Sequence, residues 1–149
     1  MQHERAQWYR LLASYSQGFA LVGDWTVAFR GGDLKRKQRL SGRMADILSD
    51  LYLLSAVLKR YEDEGRNGDE GALVDAIVKD HLYAIEQSFA AVFANFPNPV
   101  LSWVMRILVF PLGRHQQPAT DRVTYRLARA VMKPVPFRDL LTAGALCPV

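Results

Sequence analysis

The sequence predicts an all-α protein, an up-and-down helical bundle of about five helices. Three observations carry that expectation. Apolar residues recur at three- and four-residue steps over long stretches, glycine and proline clusters punctuate the chain between those stretches, and no alternating run is long enough for a half-buried strand. With 149 residues and 50% hydrophobic content, the chain fits a single domain over residues 1–149. At that size roughly two thirds of the unfolded surface can be buried.

The first helix is expected from about Glu4 to Phe29, with Trp8, Leu11, Leu12, Tyr15, Phe19, Val22, Val27 and Phe29 on its apolar side. Gly31-Gly32 suits its end, and Gly18 or Gly23 is a place for a bend. The second runs from about Leu34 to Glu64. Its apolar residues Leu40, Met44, Ile47, Leu51, Leu54, Leu58 and Tyr61 follow steps of 4, 3, 4, 3, 4 and 3, which lays one seam along a helix. Acidic Glu62-Asp63-Glu64 opposes the helix dipole there, so Gly65 and packing must stop it.

After the polar loop Arg66-Asn67-Gly68-Asp69, a third helix is expected from about Glu70 to Phe96, capped by Asp69. Its stripe reads Leu73, Ile77, His81, Ile85, Phe89, Val92 and Phe96. Pro97-Asn98-Pro99 breaks it, and a fourth helix follows from Val100 to about Phe110. That helix is apolar nearly all round, with Leu101, Trp103, Val104, Ile107, Leu108 and Phe110 around a lone Arg106, so it is expected to be covered on more than one side. Thr120 can cap a fifth, about Asp121 to Met132, with Val123, Leu127, Ala130 and Val131 inward. Pro134 and Pro136 end it, and a short turn, Phe137 to Leu141, precedes Gly144. The short loop between the long second and third helices predicts that they pack antiparallel.

Nineteen Lys+Arg against fifteen Asp+Glu give a net charge of +4, which favours anionic partners such as acidic lipid, CoA phosphates or nucleic acid. The single cysteine, Cys147, cannot form an internal disulfide, and Met1-Gln2-His3-Glu4-Arg5 lacks a signal peptide's apolar core. A cytoplasmic location is therefore expected, with peripheral contact at the inner membrane compatible with it. The longest apolar stretch, Phe89 to Leu112, is interrupted by Asn95, Pro97, Asn98, Pro99 and Arg106 and cannot cross a bilayer as one helix.

The residues that carry chemistry elsewhere are scattered. His3, His81 and His115 lack companions at metal-ligand spacing, and His81 is expected on a partly buried face. Gly31-Gly32 and the Gly65/Gly68 pair do not fit a phosphate-binding loop. Ser41, Ser49 and Cys147 have no base near them in sequence. Asp46 and Asp50 share a helical side with Arg39 and Arg43, which favours ion pairing on a solvated or interhelical face over acid–base work. No catalytic, cofactor-binding or metal-binding residue is assigned.

The stretch Gly31-Gly32-Asp33-Leu34-Lys35-Arg36-Lys37-Gln38-Arg39-Leu40-Ser41, continued through Arg43, Ala45-Asp46, Leu48-Ser49, Leu51-Tyr52-Leu53, Ser55-Ala56 and Leu58 to Arg66, closely resembles the C-terminal domain of FadE-type bacterial acyl-CoA dehydrogenases. Asn95-Phe96-Pro97-Asn98, Phe110-Pro111-Leu112-Gly113-Arg114, Pro118 with Asp121, and Leu141-Thr142-Ala143-Gly144 with Pro148 extend the likeness over nearly the whole chain. Leu146 departs from it, standing where a tyrosine is common. The resemblance implies a full enzyme that oxidises a fatty acyl-CoA to the trans-2-enoyl-CoA in fatty acid β-oxidation. There a hydride passes to FAD and a glutamate takes the α-proton. It places FAD binding and catalysis upstream, so this chain is expected to hold no cofactor and to be an excised or truncated, non-catalytic piece.

Two features exceed what a bare bundle needs. Arg122, Arg126, Arg129 and Lys133 repeat along the fifth helix, and between Arg106 and Arg138 the only acid is Asp121. This cationic stripe, together with the apolar helix bearing Trp103, Val104, Ile107 and Phe110, is a candidate surface for anionic lipid headgroups or for the upstream dehydrogenase domain. Very-long-chain acyl-CoA dehydrogenases, similar in layout, also carry a C-terminal helical domain associated with membrane contact or dimerisation. A homodimer through the apolar helix is a further reading. The competing class is a stand-alone nucleic-acid binder using Lys35, Arg36, Lys37, Arg39 and Arg43 or the fifth-helix stripe, which the family likeness does not favour.

Overall fold

The computed structural model describes residues 2–28, 34–63, 68–96, 98–110 and 116–132. Five helices account for most of them: α1 Gln2–Ala28, α2 Leu34–Asp63, α3 Gly68–Ala94, α4 Pro99–Val109 and α5 Asp121–Met132. The bundle class expected from the sequence is the one observed, and no strand occurs among the described residues. The helix stops expected at Gly31-Gly32, Gly65 and Pro134 to Pro136, the turn at 137–141, Gly144 and Cys147 lie outside the described residues.

Long-range pairs fix the helix directions. Asp50 meets His81 and Tyr61 meets Gly71, so α2 and α3 run antiparallel, as their short connection predicts. Tyr15 meets Glu86 and Gly18 meets Phe89, so α1 runs parallel to α3. Ser102 bonds Phe93, and Gly18 faces Val109, so α4 returns antiparallel to both. The order is therefore up, down, up, down for α1 to α4. Residues 116–120 lie along α3, where Gln116 reaches Glu86 and Ala119 reaches Asp80, and α5 begins beside Asp75 and Ala76.

The α2 seam is buried as its spacing predicts: Met44, Ile47, Leu51, Leu54, Leu58 and Tyr61 all lie in the core, with Leu40 packed at its edge. On α1, Leu12, Tyr15 and Val22 are buried. Helix α3 differs from the expected stripe in its first half. There Val74, Val78 and Leu82 are the buried line, while Leu73, Ile77 and His81 are half-buried. The two lines are one residue apart, about 100° around the axis. A helix packed on α2 on one side and α1 and α4 on another has more than one apolar direction. The line facing the three-helix centre wins, and it continues through Ile85, Phe89 and Val92 as expected.

Gly18, named as a bend position, has a packing reason instead. A Cβ there would stand 3.1 and 3.3 Å from the two Val109 methyls and 3.7 Å from Phe89, so its absence is what lets α4 and α3 close on α1. Gly23 has open space around it. Helix α3 spans from Gly68, which places Asp69 in its first turn.

Helix α4 begins on Asn98, whose Oδ1 accepts from the amides of Val100 and Leu101 at 3.0 and 3.2 Å, with Pro99 as the first helical residue. At α5, Thr120 holds the N-cap position, its carbonyl accepting from Val123 N at 2.8 Å. Asp121 lies in the first turn, as expected.

Candidate functional site

The expectation that α4 is covered on more than one side is overturned. Met105 and Val109 are buried and Leu101 is packed at the core edge, but Val100, Trp103, Val104, Ile107 and Leu108 are exposed. These five follow steps of 3, 1, 3 and 1 and occupy an arc of about 140° at 3.6 residues per turn. Trp103 keeps 65% of its surface and Val100 70%, values that a side chain at the edge of a core does not reach. The helix thus carries two apolar seams, one closing the bundle and one facing outward. Apolar residues exposed singly are ordinary, whereas a continuous strip of this kind marks an interaction surface.

Three of the four apolar residues singled out in the sequence, Trp103, Val104 and Ile107, lie on this strip. Phe110 does not. The helix ends at Val109, the backbone turns at Phe110 to φ −124 and ψ 66, and the ring swings into the core against Tyr15, Phe89 and Phe93 at centroid distances of 6.0 to 6.2 Å. Val100 and Leu108 complete the strip in its place. Sequence spacing alone could have found them, since 100, 103, 104, 107 and 108 are the i, i+3, i+4, i+7, i+8 set of one helix face.

Arg122, Arg126 and Arg129 are exposed on α5 and fall within an arc of about 60°. Lys133, the fourth residue of that stripe, lies outside the described residues. Tyr125 and Met132, both exposed, flank the arginines on one side, and half-buried Val123 and Leu127 face the bundle. The cationic face and the apolar strip are therefore on different helices, both laid along α3.

One polar constellation was not foreseen. Among the described residues Glu86 is the one buried charged side chain, 2% exposed. Its Oε1 accepts from the Tyr15 hydroxyl at 2.6 Å and its Oε2 from Gln116 N at 3.3 Å. A second α3 carboxylate, Asp80, accepts from Ala119 N at 2.7 Å. Burial, then the hydrogen bond to Glu86, then the carboxylate's negative charge together push the Tyr15 hydroxyl's pKa far above its ordinary value. The arrangement ties α1, α3 and the 116–120 segment together.

His81 is half-buried, as expected, and its Nδ1 donates to Asp50 Oδ1 at 2.9 Å across α2 and α3. Asp50 is thus drawn into an interhelical pair with a histidine rather than with Arg39 or Arg43. Ser41 and Ser49 are exposed. Among the described residues no group of three potential metal ligands is assembled, and no helix is long and apolar enough to cross a membrane. Two open clefts lie along α3, one of about 290 Å³ against α4 and one of about 370 Å³ beneath the 116–120 segment. Neither has the size or the backbone phosphate cradle that a flavin dinucleotide requires.

The chain matches the family described as acyl-CoA dehydrogenase, C-terminal, bacterial type, over residues 1–149, and it belongs to that family. No solved structure matches it.

Proposed function

We infer that this domain is the accessory module of a fatty acyl-CoA dehydrogenase and that the outward strip of α4 seats it on the catalytic domain of the same polypeptide. The FAD-dependent oxidation of acyl-CoA to trans-2-enoyl-CoA would then belong wholly to that domain. The carrying observation is the uncovered strip Val100, Trp103, Val104, Ile107 and Leu108. Its size favours a tethered partner over a free one. An 11-residue helix is about 16 Å long. The face it offers falls well short of the roughly 800 Å² per partner of a stable complex between separate chains. A covalent link supplies an effective concentration near the millimolar range, at which so small a surface suffices. Self-pairing of two α4 helices lacks that help and is expected only transiently.

Hydroxyl-radical footprinting of Trp103 tests the reading directly. The side chain should oxidise readily in the 149-residue chain and be protected in the full-length enzyme, and Ile107→Glu should restore its oxidation there. Equal oxidation of Trp103 in both forms would remove α4 from the interface.

A second reading is carried by α5. Arg122, Arg126 and Arg129, flanked by exposed Tyr125 and Met132, have the chemistry of a helix lying on anionic headgroups. The chain should then sediment with phosphatidylserine vesicles at low salt and be released at high salt. Absence of sedimentation at either ionic strength excludes this contact.

A further inference from the structure

The outward face of α2 carries a row of residues that the bundle does not use. Ser41, Ala45, Leu48, Tyr52, Ser55 and Lys59 follow steps of 4, 3, 4, 3 and 4, each one residue beyond a member of the buried line from Leu40 to Leu58. The row fills an arc of about 80° and is turned about 100° from that line. All six side chains are exposed, Leu48 by 53% and Tyr52 by 73%. The charges of the same stretch lie elsewhere. Arg39, Arg43, Asp46 and Asp50 fall within an arc of about 60° on the side where Asp50 meets His81 of α3. Lys59, at the end of the row, is paired with Asp63. The solvent-facing side of a helix ordinarily carries charge, whereas this one sets a leucine and a tyrosine between serines and an alanine over about 27 Å.

We propose that this row pairs with the same row of a second copy of the chain, antiparallel, about a two-fold axis midway between Leu48 and Tyr52. The row is self-complementary under that axis. Leu48 packs on the partner's Tyr52, Ala45 on the partner's Ser55, and Ser41 on the partner's Lys59. Two bulky pairs fill the centre, and the small side chains on either side let the helices approach. Tyrosine at the middle of a patch without charge is the composition of an interface core. Charge fixes the direction: a parallel pairing would set Lys59 against its own copy, whereas the antiparallel one places it on a serine and opposes the two helix dipoles. Area fixes the strength. The face is longer than the strip on α4 but belongs to one helix, far below the more than roughly 2,000 Å² of obligate dimers, so monomer and dimer exchange. Helices α2 and α4 each pack on α1 and α3, from opposite sides, so the dimer leaves the docking strip free and does not rest on it.

Sedimentation equilibrium of the 149-residue chain, carried up to about 1 mM so that a weak interface is populated, tests the proposal. A monomer–dimer equilibrium is expected. Leu48→Glu and Tyr52→Glu, both at exposed helical positions, should each raise the dissociation constant more than about tenfold, because a two-fold interface contains every substitution twice. Ile107→Glu, on the α4 strip, should leave it unchanged. Orientation is read by oxidative cross-linking in a Cys147→Ser background. Ala45→Cys and Ser55→Cys chains should cross-link when mixed, and neither should do so alone. This second measurement decides if a glutamate variant fails to fold. A chain that stays monomeric at the highest concentration, a dimer that survives Leu48→Glu and Tyr52→Glu, a dimer lost in Ile107→Glu, or Ala45→Cys chains that cross-link to one another would each overturn the proposal. All of these are read without the catalytic domain, whereas α4 docking is read from Trp103 in the full-length enzyme, so the two fail separately.

Discussion

A single hydroxyl proton links the first helix to the segment that leads into the last. Tyr15 gives it to Glu86, and the same carboxylate, only 2% exposed, also receives the Gln116 amide. Tyr15→Phe keeps the ring against Phe89 and Phe110 but leaves a buried carboxylate one donor short. We expect a loss of about 2 kcal/mol, measured by urea unfolding at neutral pH, since a hydrogen bond to a charged acceptor is worth roughly 1.5–3 kcal/mol. The pH dependence has a definite sign. The tyrosine's ordinary pKa is 10.0 and its folded value is raised. Its contribution is therefore complete below pH 10 and falls as pH rises beyond it, where the unfolded chain releases a proton that the folded one retains. Comparing the urea midpoints of wild type and Tyr15→Phe between pH 9 and pH 11 should show the difference shrinking with alkali. A constant difference would mean that the bond contributes nothing linked to ionisation. Nothing in composition marked this pair: Glu86 sits between Ile85 and Phe89 on the apolar side, and only the parallel placement of α1 reveals its partner.

At the scale of helices, the sequence was most readable where one partner dominates. Helix α2 packs chiefly on α3, so its single seam from Leu40 to Tyr61 could be read from spacing alone and is buried as read. Helix α3 touches α1, α2, α4 and α5. Its many apolar residues admit several stripes, and periodicity cannot choose between Leu73–Ile77–His81 and Val74–Val78–Leu82. The start of α4 is legible in Asn98-Pro99, which breaks α3 and is also a capping residue followed by a pre-set first helical position. The outward strip on the same helix has a different cause. A helix apolar on nearly every side predicts complete cover in a self-sufficient domain, and that inference fails where the cover belongs to something else. The cationic face of α5 was legible as a pattern of charge, whereas what it touches is not written in the helix itself.

Taken as a whole, the molecule is a four-helix bundle with an appendage. Helices α1 to α4 share one core from Leu12 to Phe110, whereas none of the described α5 side chains is buried and Val123 and Leu127 are half-buried. Among the described residues, the segment leading into α5 is held by Ala119 N on Asp80 at 2.7 Å and Gln116 N on Glu86 at 3.3 Å, above an open cleft of about 370 Å³, and α5 itself adds half-buried Val123 and Leu127. Hydrogen bonds of that kind contribute about 1 kcal/mol each, far less than a buried apolar seam. Stability should accordingly be uneven, with α5 opening as a unit while the core stays closed. Native-state hydrogen exchange should find amides of 123–132 opening at much lower free energy than those around Leu54 and Ile85. Asp80→Asn should lower the α5 values further without moving the α2 and α3 values, because the amide of Ala119 then meets a neutral acceptor. Exchange of α5 at the same free energy as the core would show that its attachment is as strong as the bundle. In that case the arginine face would be presented rigidly to any anionic partner rather than on a helix able to swing toward it.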